Sequence, residues 1–203
     1  MANEVSYYDY LKLLAPKVTN ELVITCLGGT AREWHDLKHR DGNLYHTYMS
    51  GTSPMALGLA LALPNRRVIS LDTDGSILMG LTALPTIALQ NPSNLIIIVC
   101  DNERYEAVDK MPTLTASVAD LAGIARKAGI KNVTEVKELP EFQKAIDDAF
   151  QANGVSFIVA KVKLSHPSIL HYTLHAVENK YRFVRYIEET ENRRIFTQPM
   201  VKV

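Results

Sequence analysis

Arg67-Val68-Ile69-Ser70-Leu71-Asp72-Thr73-Asp74-Gly75-Ser76 is an apolar run of strand length that stops in hard oxygen donors, and Leu95-Ile96-Ile97-Ile98-Val99-Cys100-Asp101-Asn102 repeats the pattern. The segment between them is long enough for a crossover helix, so the two runs predict a β-α-β unit with its polar residues at the carboxyl edge. In open α/β sheets ligands bind outside that edge. Asp74 and Asn102 would bring one carboxylate and one amide oxygen to one place. That donor set suits a small divalent ion such as magnesium, which completes its shell with phosphate and water. Asp74-Gly75 alone is also ordinary turn chemistry after a strand. Asn102 at the end of the neighbouring run is what favours a metal-diphosphate site.

Upstream, Glu21-Leu22-Val23-Ile24-Thr25-Cys26-Leu27 stops at Gly28-Gly29-Thr30, and helical composition resumes at Ala31. Strand, glycine turn and helix is the expected order, and such a turn can set backbone N–H groups and a hydroxyl against a phosphate. Before it, residues 6–17 space their apolar positions as a helix behind the capping Ser6. After it, residues 44–53 read as a short extended stretch. The alanine- and leucine-rich segment from Pro54 to Leu63 reads as a helix with scarcely a polar face, expected to be buried on nearly all sides.

A helix from about Ile77 to Gln90 then connects the two central strands. Farther on, a helix at 120–128 ending at Gly129, a strand at 132–136, a helix from Pro140 to Gln151 and a strand from Val155 to Val162 continue the alternation. Together these predict a doubly wound α/β fold with a mainly parallel sheet and helices on both faces. One domain is expected over residues 1–203, with a tail from about 163 that includes a helix-like stretch from His175 to Glu191.

Composition bounds the function. The 203 residues carry 22 basic and 22 acidic side chains, so no overall field draws in nucleic acid or an anionic membrane. No apolar run approaches the roughly 20 residues of a spanning helix, and no cleavable leader is apparent, which makes the cytoplasm the expected location. Cys26 and Cys100 both lie inside apolar runs and read as buried small hydrophobes.

The chain resembles the diphosphate-binding half of thiamine-diphosphate-dependent enzymes, whose signature is Gly-Asp-Gly followed some thirty residues on by Asn-Asn. Here that signature becomes Thr73-Asp74-Gly75-Ser76 and Asp101-Asn102. Within that family the resemblance is to the β subunit of sulfopyruvate decarboxylases and the C-terminal half of phosphonopyruvate decarboxylases. Gly29 to Glu33, Met49-Ser50-Gly51 leading into Ala56 to Leu61, and Asp101 to Tyr105 with Pro112-Thr113 follow the family's order over roughly residues 5–165.

The resemblance implies that Mg2+ is bound by Asp74, Asn102 and the main-chain carbonyl of Arg104. Gly29, Thr30, Gly75 and Ser76 would hold the diphosphate, with Tyr105 among the cofactor's contacts. Met49 would prop the bent cofactor, and the Thr47 carbonyl would face its aminopyrimidine. The implied reaction is decarboxylation of a small 2-oxo acid, with the cofactor as electron sink. The implied partner is a separate pyrimidine-binding subunit carrying the activating glutamate. Two positions depart from the family pattern: Thr73 replaces its first glycine, and Asp101 its first asparagine.

Two other readings stay open on the sequence. Asp72 and Asp74 also match the Asp-x-Asp-Gly nucleophile motif of haloacid-dehalogenase-type phosphatases, although the motif sits mid-chain and the later pair Asp147-Asp148 falls in an expected helix. A catalytically silent scaffold subunit is the third reading. Among the histidines, His35 and His39 are read as surface or hydrogen-bonded residues, and His46 as a candidate substrate contact. His166, His171 and His175 lack an accompanying carboxylate or thiol in ligand register and read as solvated or subunit-contacting, as do Arg182, Arg185, Arg193 and Arg194.

Overall fold

The computed structural model describes residues 5–106, 108–163, 169 and 175–196. The chain runs α1 (Tyr7–Leu14), β1 (Leu22–Cys26), α2 (Gly29–Lys38), β2 (Asn43–Thr47), α3 (Thr52–Ala62) and β3 (Val68–Thr73). It continues with α4 (Asp74–Met79), α5 (Ala83–Gln90), β4 (Leu95–Asp101) and a small hairpin, β5 (Arg104–Tyr105) and β6 (Met111–Pro112). The remaining elements are α6 (Leu121–Ala128), β7 (Asn132–Val136), α7 (Leu139–Gln151), β8 (Ser156–Lys161) and α8 (Ala176–Thr190).

Six strands form one sheet in the order β2-β1-β3-β4-β8-β7, and every neighbouring pair is parallel. From β1 the chain crosses first to β2 on one side and then to β3 on the other, so the topological switch point lies between β1 and β3. Both faces of the sheet are covered, which is why its central strands are apolar without alternation. In β4, Leu95, Ile97 and Val99 join a core with α3, α5 and α6, whereas Ile96, Ile98 and Cys100 join a second core with α1, α2 and α7. Burying each such aliphatic side chain contributes roughly 1.5–3 kcal/mol before entropy is counted.

Several helices begin where a side chain satisfies their first N–H groups. Ser6 and Asp9 form a reciprocal capping box on α1. Asp120 caps α6, and Gly129 ends it with φ 109, a left-handed conformation that suits glycine.

Two expectations are corrected. The segment from Ile77 to Gln90 is two helices, because Pro85 lacks an N–H for a continuous ladder and instead sits in the first turn of α5. At the break, a side chain on Gly80 would meet the Ser50 carbonyl at 2.9 Å, so the glycine permits close packing of the 49–51 loop. The second correction concerns α3, whose one side carries exposed Gly58, Leu61 and Ala62, while Ala56, Leu57 and Ala60 pack on the sheet. It is buried on one face only.

Helix α8 packs along the edge strand β2. Arg182 donates to the carbonyls of Arg40 and Asn43, both at 2.7 Å, and Arg66 pairs with Glu191 at 2.9 Å. His175 precedes α8, while His166 and His171 lie outside the described residues. Among the described residues no helix is long and apolar enough to cross a membrane, and no group of three or more His, Cys, Asp or Glu is placed to hold a metal.

Candidate cofactor site

A cleft opens at the carboxyl edge beside the switch point. Its walls come from Cys26 to Thr30 after β1, Met49 after β2, Thr73 and Gly75 at the start of α4, and Asn102, Arg104, Tyr105, Glu106 and Val108 after β4. The loops that follow parallel strands share one edge of the sheet, so residues far apart in sequence meet there.

Gly28 adopts φ 87 and ψ −139 at the N-terminus of α2 and offers no side chain to cap it. The first N–H groups of the helix, on Gly29 and Thr30, are therefore left for an acceptor in the cleft, the arrangement that binds phosphate oxygens elsewhere. On the opposite wall Gly75 leaves space that a side chain would fill. A Cβ there would lie 2.4 Å from Tyr105 Cε1 and 3.4 Å from Met49 Cε, so those two side chains close over the glycine.

Asp74 is buried beside this wall. Its Oδ2 accepts from Thr113 Oγ1 at 2.6 Å and lies 3.1 Å from Thr115 Oγ1, whose one proton it shares with Asp101, whereas Oδ1 is enclosed without a hydrogen-bonded partner. Burial raises its pKa to about 6, and the charge of Asp101 adds to the shift, while the two threonine hydroxyls and the Gly75 N–H dipole oppose it. A buried oxygen left unpaired is costly unless something completes it. A divalent cation fits that description and would also return the carboxyl group to its charged form.

Asn102 is oriented by its own loop: Oδ1 accepts the Arg104 N–H at 3.0 Å, and Nδ2 donates to Glu106 Oε1 at 2.5 Å. Its oxygen has a second lone pair for a cation. One carboxylate oxygen, one amide oxygen and the Arg104 carbonyl are donors of the kind Mg2+ takes, with Asp74 standing behind the cleft that Asn102 and Arg104 line.

The two departures from the family pattern each have a local account. Thr73 is the N-cap of α4 and accepts the Ser76 N–H at 3.3 Å, so the chain closes that helix start with its own hydroxyl. Asp101 is neutralised by Lys161 at 2.9 Å and accepts from Thr115 at 2.8 Å.

Gly29, Thr30, Met49, Gly75, Asn102, Arg104 and Tyr105 thus share one cleft. Ser76 and Thr47 stand behind it. The Ser76 hydroxyl accepts the Ser50 N–H at 3.0 Å, and the Thr47 hydroxyl donates to the Thr25 carbonyl at 2.9 Å, so both side chains shape the walls. His46 is exposed at the end of β2 with φ 52 and does not line the cleft. The His35 and His39 rings lie 4.3 Å apart, tilted by 32°, and His39 stacks on Tyr45 at 5.7 Å.

Asp72 is fully enclosed. Its Oδ2 accepts from both the N–H and the hydroxyl of Ser53 and its Oδ1 from the Thr73 N–H, and neither oxygen is presented to the cleft, so Asp72 is not placed to attack phosphorus. Asp74 is the first residue of α4 and its carboxylate is engaged by Thr113, so the two aspartates do not form a pair presented to a substrate. Thr115, Glu106 and Lys161 were not singled out from the sequence. Thr113-Leu114-Thr115, two hydroxyls with one residue between them, is a local pattern that points to Thr115 alone.

The family model for "Thiamine pyrophosphate enzyme, C-terminal TPP binding domain" matches residues 29–160. The chain is 29% identical over 187 residues to the sulfopyruvate decarboxylase subunit beta of Methanococcus maripaludis, covering 92% of this chain and 100% of that one. It is 32% identical over 184 residues to the subunit of the same name from Methanocaldococcus jannaschii, covering 90% and 97%. Among solved structures, benzoylformate decarboxylase from Polynucleobacter necessarius shares the fold with a TM-score of 0.68 at 21% identity, covering 81% of this chain and 34% of that one. With the motif, the switch-point cleft and these likenesses in agreement, the chain belongs to the family of thiamine pyrophosphate enzyme C-terminal TPP-binding domains.

Proposed function

We propose that this chain is the diphosphate-binding subunit of a thiamine-diphosphate- and Mg2+-dependent decarboxylase acting on a small 2-oxo acid, of which sulfopyruvate is the foremost candidate. The observation that carries the reading is the buried, unpartnered Asp74 Oδ1 beside a cleft floored by Gly75 and faced by the start of α2. Relatives named sulfopyruvate decarboxylase subunit beta, matched over nearly their whole length, supply the substrate class and the expectation of a second chain.

In this reading Asp74, Asn102 and the Arg104 carbonyl hold the cation. Gly29, Thr30 and Gly75 take the diphosphate, and Met49 supports the bend. The bound cofactor supplies an electron sink for the carbon–carbon bond that breaks as carbon dioxide leaves. The chain's own residues position the reacting groups and limit water at the cleft. A separate pyrimidine-binding chain would close the mouth, where Leu27 and Val108 line the cleft with exposed apolar side chains, and Tyr48, after β2, is exposed as well. Apolar side chains in such a setting favour a protein partner.

The test is calorimetric titration of thiamine diphosphate, with and without Mg2+, into the chain combined with its companion subunit, followed by a screen of 2-oxo acids for carbon dioxide release. Magnesium-dependent binding and release from an acid with a distal anionic group are expected. Binding without release from any acid would leave a scaffold role, and absence of binding would sink the reading.

A further inference from the structure

Arg32 stands one helical turn beyond Gly29 on α2, so the two residues share a face of that helix. A long side chain on a helix leans back over the turn N-terminal to its own Cα. For Arg32 that turn begins at Gly28 and Gly29, which line the cleft and put no side chain in the way. The guanidinium charge is felt at the end of β2: partial desolvation of the ring lowers the His46 pKa, and Arg32 lowers it further. Helix geometry and this coupling together set the guanidinium at the carboxyl edge, on the β2 side of the cleft mouth, where the chain runs on from His46 to Met49.

Two other cations at this edge are engaged. Arg104 donates to the Lys110 carbonyl at 3.2 Å, and Lys161 pairs with Asp101 at 2.9 Å and Glu103 at 3.1 Å. Arg32 is half-buried, and among the described residues its side chain has no hydrogen bond and no carboxylate partner; its backbone N–H donates to the Gly28 carbonyl at 3.3 Å. A guanidinium is a planar fork of N–H donors that grips oxyanions in pairs, so one left open beside a binding cleft suits an anionic ligand. In the reading above the diphosphate goes to Gly29, Thr30 and Gly75, whereas Arg32 reaches toward the β2 side, where Met49 supports the reacting part of the cofactor. We infer that Arg32 is a specificity-determining residue that binds the distal anionic group of the 2-oxo acid and so favours such acids over those with an uncharged far end. The inference rests on the cofactor reading and adds to it the residue that reads the substrate.

The experiment uses the chain with its companion subunit, thiamine diphosphate and Mg2+. Carbon dioxide release is measured from sulfopyruvate and from 2-oxobutyrate, which is of similar length and lacks the distal charge. Arg32→Met keeps the length of the side chain and removes its charge. The ratio of kcat/KM for sulfopyruvate to that for 2-oxobutyrate should fall roughly tenfold or more, mainly through KM, and Arg32→Lys should recover part of it. If Arg32→Met does not fold, Arg32→Gln takes its place. Apart from turnover, calorimetry should show 3-sulfopropanoate, an unreactive acid with the same far end, binding the native complex more tightly than the variant, with thiamine diphosphate affinity equal in both. A folded variant with the native ratio, a loss that lies in thiamine diphosphate affinity, or a native complex that prefers 2-oxobutyrate would each overturn the inference while leaving the cofactor reading intact. A native complex that binds no thiamine diphosphate would overturn both.

Discussion

Asn179 on α8 pairs with the backbone of Tyr45 on the edge strand β2: its Nδ2 donates to the Tyr45 carbonyl at 2.7 Å, and its Oδ1 accepts the Tyr45 N–H at 3.2 Å. The side-chain amide does what another strand would do, satisfying the outward groups of a sheet edge. Two residues beyond Tyr45 the same strand reaches Thr47, and then the loop bearing Met49.

Replacing Asn179 by alanine leaves two buried backbone groups without partners, which should cost about 1–3 kcal/mol each at most, less where water enters. Urea unfolding should show a lower midpoint with little change in slope. An unchanged midpoint would mean that α8 does not fasten the edge.

Lys161 is about one-fifth exposed and Asp101 almost wholly buried, so the pair should be worth more than a surface ion pair but less than a fully enclosed one. Lys161→Met should destabilise the chain by roughly 1–3 kcal/mol. Adding Asp101→Asn removes the stranded charge and should recover most of that loss. Additive effects in this double-mutant cycle would show that the two side chains do not interact.

Gly75→Ala drives a methyl group into the Tyr105 ring, whose nearest atom would be 2.4 Å away. Thiamine diphosphate affinity should fall roughly tenfold or more, about 1.4 kcal/mol. Tyr105→Ala in the same chain should relieve the clash and recover part of the affinity. Titration calorimetry measures both steps, and undiminished affinity in the single variant would remove Gly75 from the cofactor's wall.

Asp74 gives the cofactor-free protein a pH signature. Its folded pKa, about 6, lies above the ordinary 3.8 because burial disfavours the charge, so the folded state holds the proton longer than the unfolded one. Stability should therefore fall as pH rises from about 4 to about 6, by on the order of 1–3 kcal/mol from this group. Asp74→Asn should flatten that part of the profile and abolish magnesium-dependent cofactor binding. Denaturant titrations of both proteins across the interval supply the comparison. A parallel decline in the two would assign the slope to other groups.

Residue patterns over short distances settled much of this molecule. Strands enclosed on both faces must be continuously apolar, so β1, β3, β4 and β8 could be read directly, and their alternation with helices named the fold class. The edge strand β7 is polar at most positions, yet its place in the alternation marked it. The break at Gly80 had a local signal in Pro85, but its position depends on the close approach of Ser50 from another loop. The exposed side of α3 was hidden for a similar reason: an apolar composition does not say which face meets the sheet.

At the proposed site, Asp74 and Asn102 stand out in the sequence because each follows an apolar strand, and strand ends share an edge in any parallel sheet. How Asp74 is held could not be read that way. Its Thr113 partner lies 39 residues away across a loop, Lys161 approaches Asp101 from β8, and a hydroxyl's partner depends on distance and angle at ångström scale. The order of apolar and polar residues determined which donors reach the carboxyl edge. Only tertiary packing decided which of their oxygens are taken by the protein and which one remains, because hydrogen bonds between distant segments exist once the chain has closed on itself.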